Sequence, residues 1–363
     1  MISQAQYPNS AQKIEAHRRF WNGEGPCLIL IPTPNIELYD LEGYPERFEN
    51  PQLMWEAEMR RAELVRDWPT DGIPTVRPSL GVIFIPATMG LSYLIHDGQM
   101  PWPGESLSRE TIRRCREIEI TQTHLIQLAE EFYRIHRHSG PDDMIAYHAD
   151  TEGVFDIAHL VYGNEIFCDM ADESQGAWIH ELMEICLDFY VRIVRHLKGI
   201  LGETNESMIH GHGTPQGVYF PTAGTRISED TVTLVSPKMV DKFILPYLER
   251  SVEVFGGGFV HYCGYHETLF ESLCRSPHIR AIDLGNSDMH DLRHLFECCA
   301  ETGTVLCSRV AALDGENWRE YLRRVTGLIQ ETGARCILRP MAAPENRDEC
   351  AEMLELWHEG TIK

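Results

Sequence analysis

The sequence predicts an α/β chain folded as a (β/α)8 barrel, a single domain with a helical N-terminal extension. Three observations predict it. Strand and helix patterns alternate through four consecutive units at the end of the chain, which argues for a parallel sheet. A chain of 363 residues leaves room for four more such units before them, as a closed barrel requires. No G-x-G-x-x-G follows a strand, so the competing open, doubly wound sheet lacks its signature.

Each element has its own signal. Residues 1–70 read as a helical extension packed on the barrel, and residues 71–363 as the barrel itself. "IPTVRPSLGVIFIPATMG" (73–90) contains the first barrel strand. Segments 109–136 and 172–198 read as long helices. "DMIAYHADTEGVF" (143–155) reads as a strand and loop, "ESMIHGHGTP" (206–215) as another strand, and "TRISEDTVTLVSP" as a loop. In "LVSPKMVDKFILPYLERSVEVF", Ser236 is the N-cap and Pro237 the first helical residue. Val240, Phe243, Ile244, Tyr247 and Leu248 keep helical spacing, and Pro246 must kink that helix or end its first part. Strand 258–263, helix 266–275 and strand 279–285 follow. Next come a helix closed by Gly303, the strand in "TVLCSRVA", a helix in "ENWREYLRRVTGLIQETG", the strand in "ARCILRP" and a last helix.

Composition removes several function classes. The chain has 32 Lys and Arg against 55 Asp and Glu, a formal charge of -23, which disfavours a nucleic-acid partner. The opening residues carry no apolar core of a secretory signal, and no run reaches membrane-span length. The 11 cysteines are odd in number and scattered, unlike a secreted disulfide framework. A cytoplasmic protein with reduced thiols and a small-molecule substrate is expected.

In such a barrel, chemistry collects at the C-terminal ends of the strands. Those ends carry His148, Asp150 and Glu152, then His210 and His212, then His261 and Cys263, then Asp283, Cys307 and Arg309, and Cys336 and Arg339. His261 and Cys263, two apart in "VHYCGYHE", point the same way on a strand. They are either two satisfied interior residues or half of a zinc site, whose other ligand could be Cys307, Cys336, His210, His212 or Glu152. Asp283 lies inside the apolar "AIDLG" and must be paired or ligated; Arg309 or Arg339 could pair with it. Glu229 and Asp230 read as solvated or capping carboxylates. "DMHDLR" (288–293) approaches a corrinoid-binding DxHxxG signature, but Arg293 stands where the glycine is required, so no corrinoid of the chain's own is expected.

The runs "LVSPKMVDKFILPYLERSV", "FVHYCG", "AIDLGNS" and "TVLCSRVA", with "IAYHADTEGVFDIAHLVYG" before them, resemble the uroporphyrinogen decarboxylase superfamily over residues 50–360. The resemblance implies a (β/α)8 barrel. True decarboxylases of that superfamily carry an Arg-rich "RQAGR" segment, and this chain has "CLILIPTPNIELYD" in that region. The other branch comprises cobalamin-dependent methyltransferases, which move methyl groups between a corrinoid protein and a thiol and bind zinc through HxC plus a later Cys. His261 and Cys263 match the HxC, while Met341 and Ala342 stand near where the later Cys should fall. Cys307, Cys336 or a carboxylate must then replace it, and Cys307 is the expected third ligand. The resemblance thus implies zinc, a corrinoid supplied by a partner protein, and Asp283, Glu152 and His210 as catalytic groups. The ring of polar residues at the strand ends adds His148, Asp150, His212, Arg309 and Arg339 as expected substrate-binding groups. The alternative is a metal-independent decarboxylase or lyase, with Arg77, Arg309 and Arg339 gripping a carboxylate; a barrel that binds a tetrapyrrole without turnover is a third reading.

Overall fold

The computed structural model describes residues 8–34, 43–96 and 98–362. Residues 1–7 and 35–42 of the expected extension lie outside the described residues. Six strands form one all-parallel sheet. Its order is β1 (Leu28–Ile29), β12 (Cys336–Leu338), β11 (Val305–Ser308), β10 (Ile279–Leu284), β9 (Gly258–Tyr262) and β8 (Thr225–Ser228). A second sheet has the order β5 (Ile145–Ala146), β2 (Ile73–Val76), β7 (Gln216–Phe220) and β6 (Met208–His210). In it β2 runs parallel to β5, while β7 is antiparallel to both neighbours. β3 (Tyr93–Leu94) and β4 (Trp102–Pro103) make a separate hairpin. Backbone hydrogen bonds tie both edges of the six-stranded sheet to segments that flank the second one: Asp71 N, two residues before β2, donates to Ile29 O at 3.0 Å, and Gly153 N, seven residues after β5, donates to Ser228 O at 2.6 Å.

The C-terminal half follows the expected alternation, for local reasons. Asp291 accepts hydrogen bonds from the backbone of Arg293 and His294 and starts the helix Leu292–Thr302, which Gly303 ends at φ 78°. Asn317 and Glu320 form a capping box on the helix Trp318–Thr332, ended by Gly333. Pro246 acts as expected. It cannot donate a backbone hydrogen bond, and a π turn over Val240–Ile244 separates the first helical turn, Pro237–Met239, from the helix Leu245–Glu253.

Four expectations change. The extension is not wholly helical, because β1 joins the six-stranded sheet beside β12. Segment 109–136 is broken into helices Arg109–Arg114 and His124–Ser139 by 3-10 turns, across a stretch holding Ile118, Ile120, Thr121 and Thr123, β-branched residues that fit a helix poorly. "TRIS" is not loop but β8. Residues 206–215 do not make a lone parallel strand; they open an antiparallel hairpin, β6–β7.

Register places the interior. Partners on neighbouring parallel strands share a face, so Ser228, His261, Asp283, Cys307, Ile337 and Leu28 form one row. Phe259 lies two residues before His261, on the same face. The hairpin β6–β7 packs against that face: Phe220 stacks on Phe259 with ring centroids 5.0 Å apart, and the His212 ring lies 6.1 Å from it. The helix Ser10–Trp21 backs the hairpin. Trp21 Nε1 donates to Tyr219 O at 2.8 Å, and Tyr219 N donates to His17 Nδ1 at 3.0 Å.

Candidate metal centre

The site forms where β8, β9 and β10 end. Asp283 is fully buried, and its Oδ2 collects His261 Nδ1 at 3.0 Å, His212 Nε2 at 3.2 Å and Arg339 at 3.7 Å. Burial alone would raise this carboxyl's pKa. His261, Arg339 and Arg309 outweigh it and hold the group below the usual carboxylate range, so Asp283 is ionised at neutral pH. An ionised carboxylate only accepts hydrogen bonds, so His261 donates from Nδ1, and in the neutral imidazole Nε2 is then the nitrogen with the free lone pair. Metal-binding histidines are held in this way.

His261 Nε2 faces Cys263 Sγ at 3.2 Å and Asp230 Oδ1 at 3.6 Å. Ligand atoms sharing a tetrahedral zinc are separated by about 3.3–3.6 Å, given Zn–N, Zn–O and Zn–S bonds of about 2.0–2.3 Å. His261, Cys263 and Asp230 therefore suit one divalent ion. His261 also belongs to a second group, with His212 and Asp283. Burial, then the neighbouring Asp230, pushes the Cys263 thiol up to about 12, so it keeps its proton unless a cation stabilises the thiolate. Gly285 makes room for that sulfur, since a Cβ there would collide with Cys263 Sγ.

Two carboxylates fix the backbone around Asp230. Buried Glu229 accepts from the backbone of Phe155 at 3.2 Å and Asp156 at 3.1 Å, at the start of the helix Val154–Tyr162. Asp156 accepts in return from the backbone of Asp230 at 2.8 Å and Thr231 at 2.9 Å. Burial raises both carboxyls, Asp156 to about 7. The capping expectation thus holds for Glu229. Asp230 itself is half-exposed, accepts from Cys263 N at 2.6 Å and turns its carboxylate to the site.

His212 enters from the hairpin. Its φ of 47° is the only positive value at a non-glycine residue among the described residues. Such a conformation is uncommon outside glycine and clusters at functional sites. His212 N donates to His210 Nδ1 at 2.9 Å, which leaves the buried His210 Nε2 without a partner. Burial, then Arg226, holds both imidazoles well below their ordinary pKa, so they are neutral.

The remaining expected residues divide. Arg309 and Arg339 approach Asp283 electrostatically from the ends of β11 and β12. Asp150 is ion-paired with Arg77. Glu152 is buried, and burial raises its carboxyl against the pull of Arg226. His148 is not brought to the cluster: its Nε2 bonds Glu203 at 3.0 Å, and Glu203 also pairs with Lys198 at 3.1 Å. The side chain grouped with His261 and Cys263 at ligand distance is Asp230, and Cys307 is not part of that group among the described residues. Cys307 shares the face but sits two strands from His261, about 10 Å at the usual strand spacing. Cys336 is paired in register with Leu306 and so faces away from the interior. Arg226 went unnoticed in the sequence. It pairs in register with Phe259, is buried, and its Nε has no partner.

No protein-family model matches the chain, and no curated protein matches it. Among solved structures, a methyltransferase from Methanosarcina mazei is similar over 97% of this chain and 99% of its own, with a TM-score of 0.64 and 14% identity. The likeness shows a shared fold.

Proposed function

We propose that the chain is a cytoplasmic zinc-dependent methyltransferase that moves a methyl group between a corrinoid protein and a thiol or similar small acceptor. Its scaffold is then a closed (β/α)8 barrel of β1, β2, β5 and β8 to β12, with the hairpin β6–β7 inside. The observation that carries the reading is His261, tied through Nδ1 to an ionised carboxylate and open through Nε2 toward Cys263 and Asp230. The similarity in fold to a methyltransferase agrees with it.

His261, Cys263 and Asp230 would hold the ion. Zinc bound there supplies a thiol deprotonated at neutral pH, which is the nucleophile such a transfer needs. The chain's own residues do the rest. Asp283 fixes the His261 ring, while Arg339 and Arg309 keep Asp283 charged. Arg226 and Arg339 each keep a buried Nε without a partner, suited to orienting an anionic group of the acceptor. Glu152 lies within the electrostatic reach of Arg226, with its carboxyl raised by burial.

The rim suits a protein partner. Leu234, Tyr265, Met289, Leu313 and Met341 are exposed, and each lies in the loop after one of the five strands β8 to β12. Apolar residues gathered around one opening mark interaction surfaces.

The test is metal content by mass spectrometry on wild type and Cys263→Ser, both purified without chelator. The variant is expected to lose about one zinc per chain. Equal metal in both proteins would overturn the reading. The unpartnered guanidinium groups would then favour the second reading, a metal-independent decarboxylase or lyase acting on a carboxylated substrate.

A further inference from the structure

The strand β9 has a second face. Tyr262 lies between His261 and Cys263 in sequence and points the opposite way, out of the interior. It is completely buried, yet its hydroxyl has no hydrogen-bond partner. The groups within its electrostatic reach are Tyr265 and, from the helices Leu269–Arg275 and Leu292–Thr302 on that side of the sheet, Cys274, Glu271 and Cys299.

At the surface over this spot the same two helices bring three metal-binding side chains together. His294 and Cys298 are four residues apart on one helix and so share a face. Glu271 comes from the other. His294 Nε2 lies 2.8 Å from Glu271 Oε1 and 3.5 Å from Cys298 Sγ. The sulfur–nitrogen separation already matches the value of about 3.5 Å for two ligands on one tetrahedral zinc. The nitrogen–oxygen pair need open by only about 0.5 Å to do the same. All three ligand atoms lie within 4.8 Å of one another, and His294 is half-exposed, so an ion can enter from solvent.

We infer that Glu271, His294 and Cys298 form a second site, for a thiophilic divalent cation of the zinc class, on the opposite face of β9 from the candidate metal centre. Binding replaces the His294–Glu271 hydrogen bond with two coordinate bonds and adds a third from sulfur. The Cys298 thiol proton passes to water, the proton that His294 Nε2 gives to the hydrogen bond moves to water or to Nδ1 so that Nε2 can coordinate, and no electrons are transferred. The fourth position remains for solvent. The ion would clip the two helices together above the Tyr262 hydroxyl.

Cobalt(II) is the probe, because a thiolate ligand gives it a charge-transfer absorption. A chain carrying His261→Ala and Cys263→Ser is stripped with chelator and titrated. The expected result is saturable binding of about one cobalt per chain with that absorption. Adding Cys298→Ser should abolish the absorption, and adding His294→Ala should weaken binding at least about tenfold. No saturable binding, or binding that Cys298→Ser leaves unchanged, overturns the inference. Should the doubly substituted chain fail to fold, the full wild-type chain is compared with Cys298→Ser. Loss of one equivalent supports the site, and equal stoichiometry overturns it. Because neither comparison depends on His261 or Cys263 binding metal, the outcome is separable from that of the proposed function.

Discussion

His261 can offer Nε2 to a cation only while something holds its Nδ1 proton, and Asp283 does so with an oxygen that also takes His212 and Arg339. Asp283→Asn keeps the shape but loses the charge. It is expected to weaken zinc binding about 10- to 100-fold, measured by competition with a chromophoric chelator, with little change in helix content. Gly285→Ala should act on the other ligand, crowding Cys263 Sγ and lowering the same affinity without removing any donor atom. An unchanged affinity in both variants would separate these residues from metal binding. His261, Cys263 and Asp283 were legible in the sequence because strand alternation alone puts the first two on one face and marks the third as a charge in an apolar strand. Asp230 was not legible as a neighbour of that pair. Its bond to Cys263 N joins residues 33 apart and depends on β8, which read as a loop. His148 lies apart from the cluster for the opposite reason: alternation through Asp150 and Glu152 requires a strand, but β5 ends at Ala146, so the period of two no longer applies.

The element that backs the hairpin makes its own prediction. His17, fully buried on the helix Ser10–Trp21, donates from Nε2 to Asp71 O at 3.0 Å and accepts at Nδ1 from Tyr219 N. Both nitrogens are used, so a second proton has no place without breaking the contact to β7. Burial is the main cause that lowers this imidazole from 6.5 to about 4. The unfolded chain therefore binds a proton between those pH values and the folded chain does not. Stability should fall as pH drops from 6.5 toward 4, by about 3 kcal/mol from this group. Denaturant unfolding at pH 7 and pH 5 should show the loss, and His17→Gln should flatten that part of the profile. The strand–helix units of the C-terminal half were readable because caps and glycines punctuate them. β1 and β5 have two residues each, too few to display alternation, and the hairpin β6–β7 is held by contacts to residues far away in sequence.

Across the whole molecule, charge and apolar surface are distributed unevenly. The chain is acidic in sum, yet Arg77, Arg226 and Arg339 are buried in the interior. Five large apolar side chains stand exposed where β8 to β12 end. If the rim receives a corrinoid protein, Tyr265→Asp combined with Met289→Asp should raise the KM for that protein about tenfold or more. Turnover with free methylcobalamin should stay unchanged. Equal KM values would remove the rim from docking. The hairpin and the helix behind it fill the interior on the side away from the metal centre, with Trp21, Phe220 and Phe259 packed in series. In the proposed closed barrel this packing is a floor, and the interior opens where β8 to β12 end. Two reactants that both need His261 and Cys263 would then use that opening in turn or meet within it. A large donor seated on the rim would shut out a small acceptor arriving late, so each should inhibit the other at high concentration, and the order of addition becomes a property of the architecture.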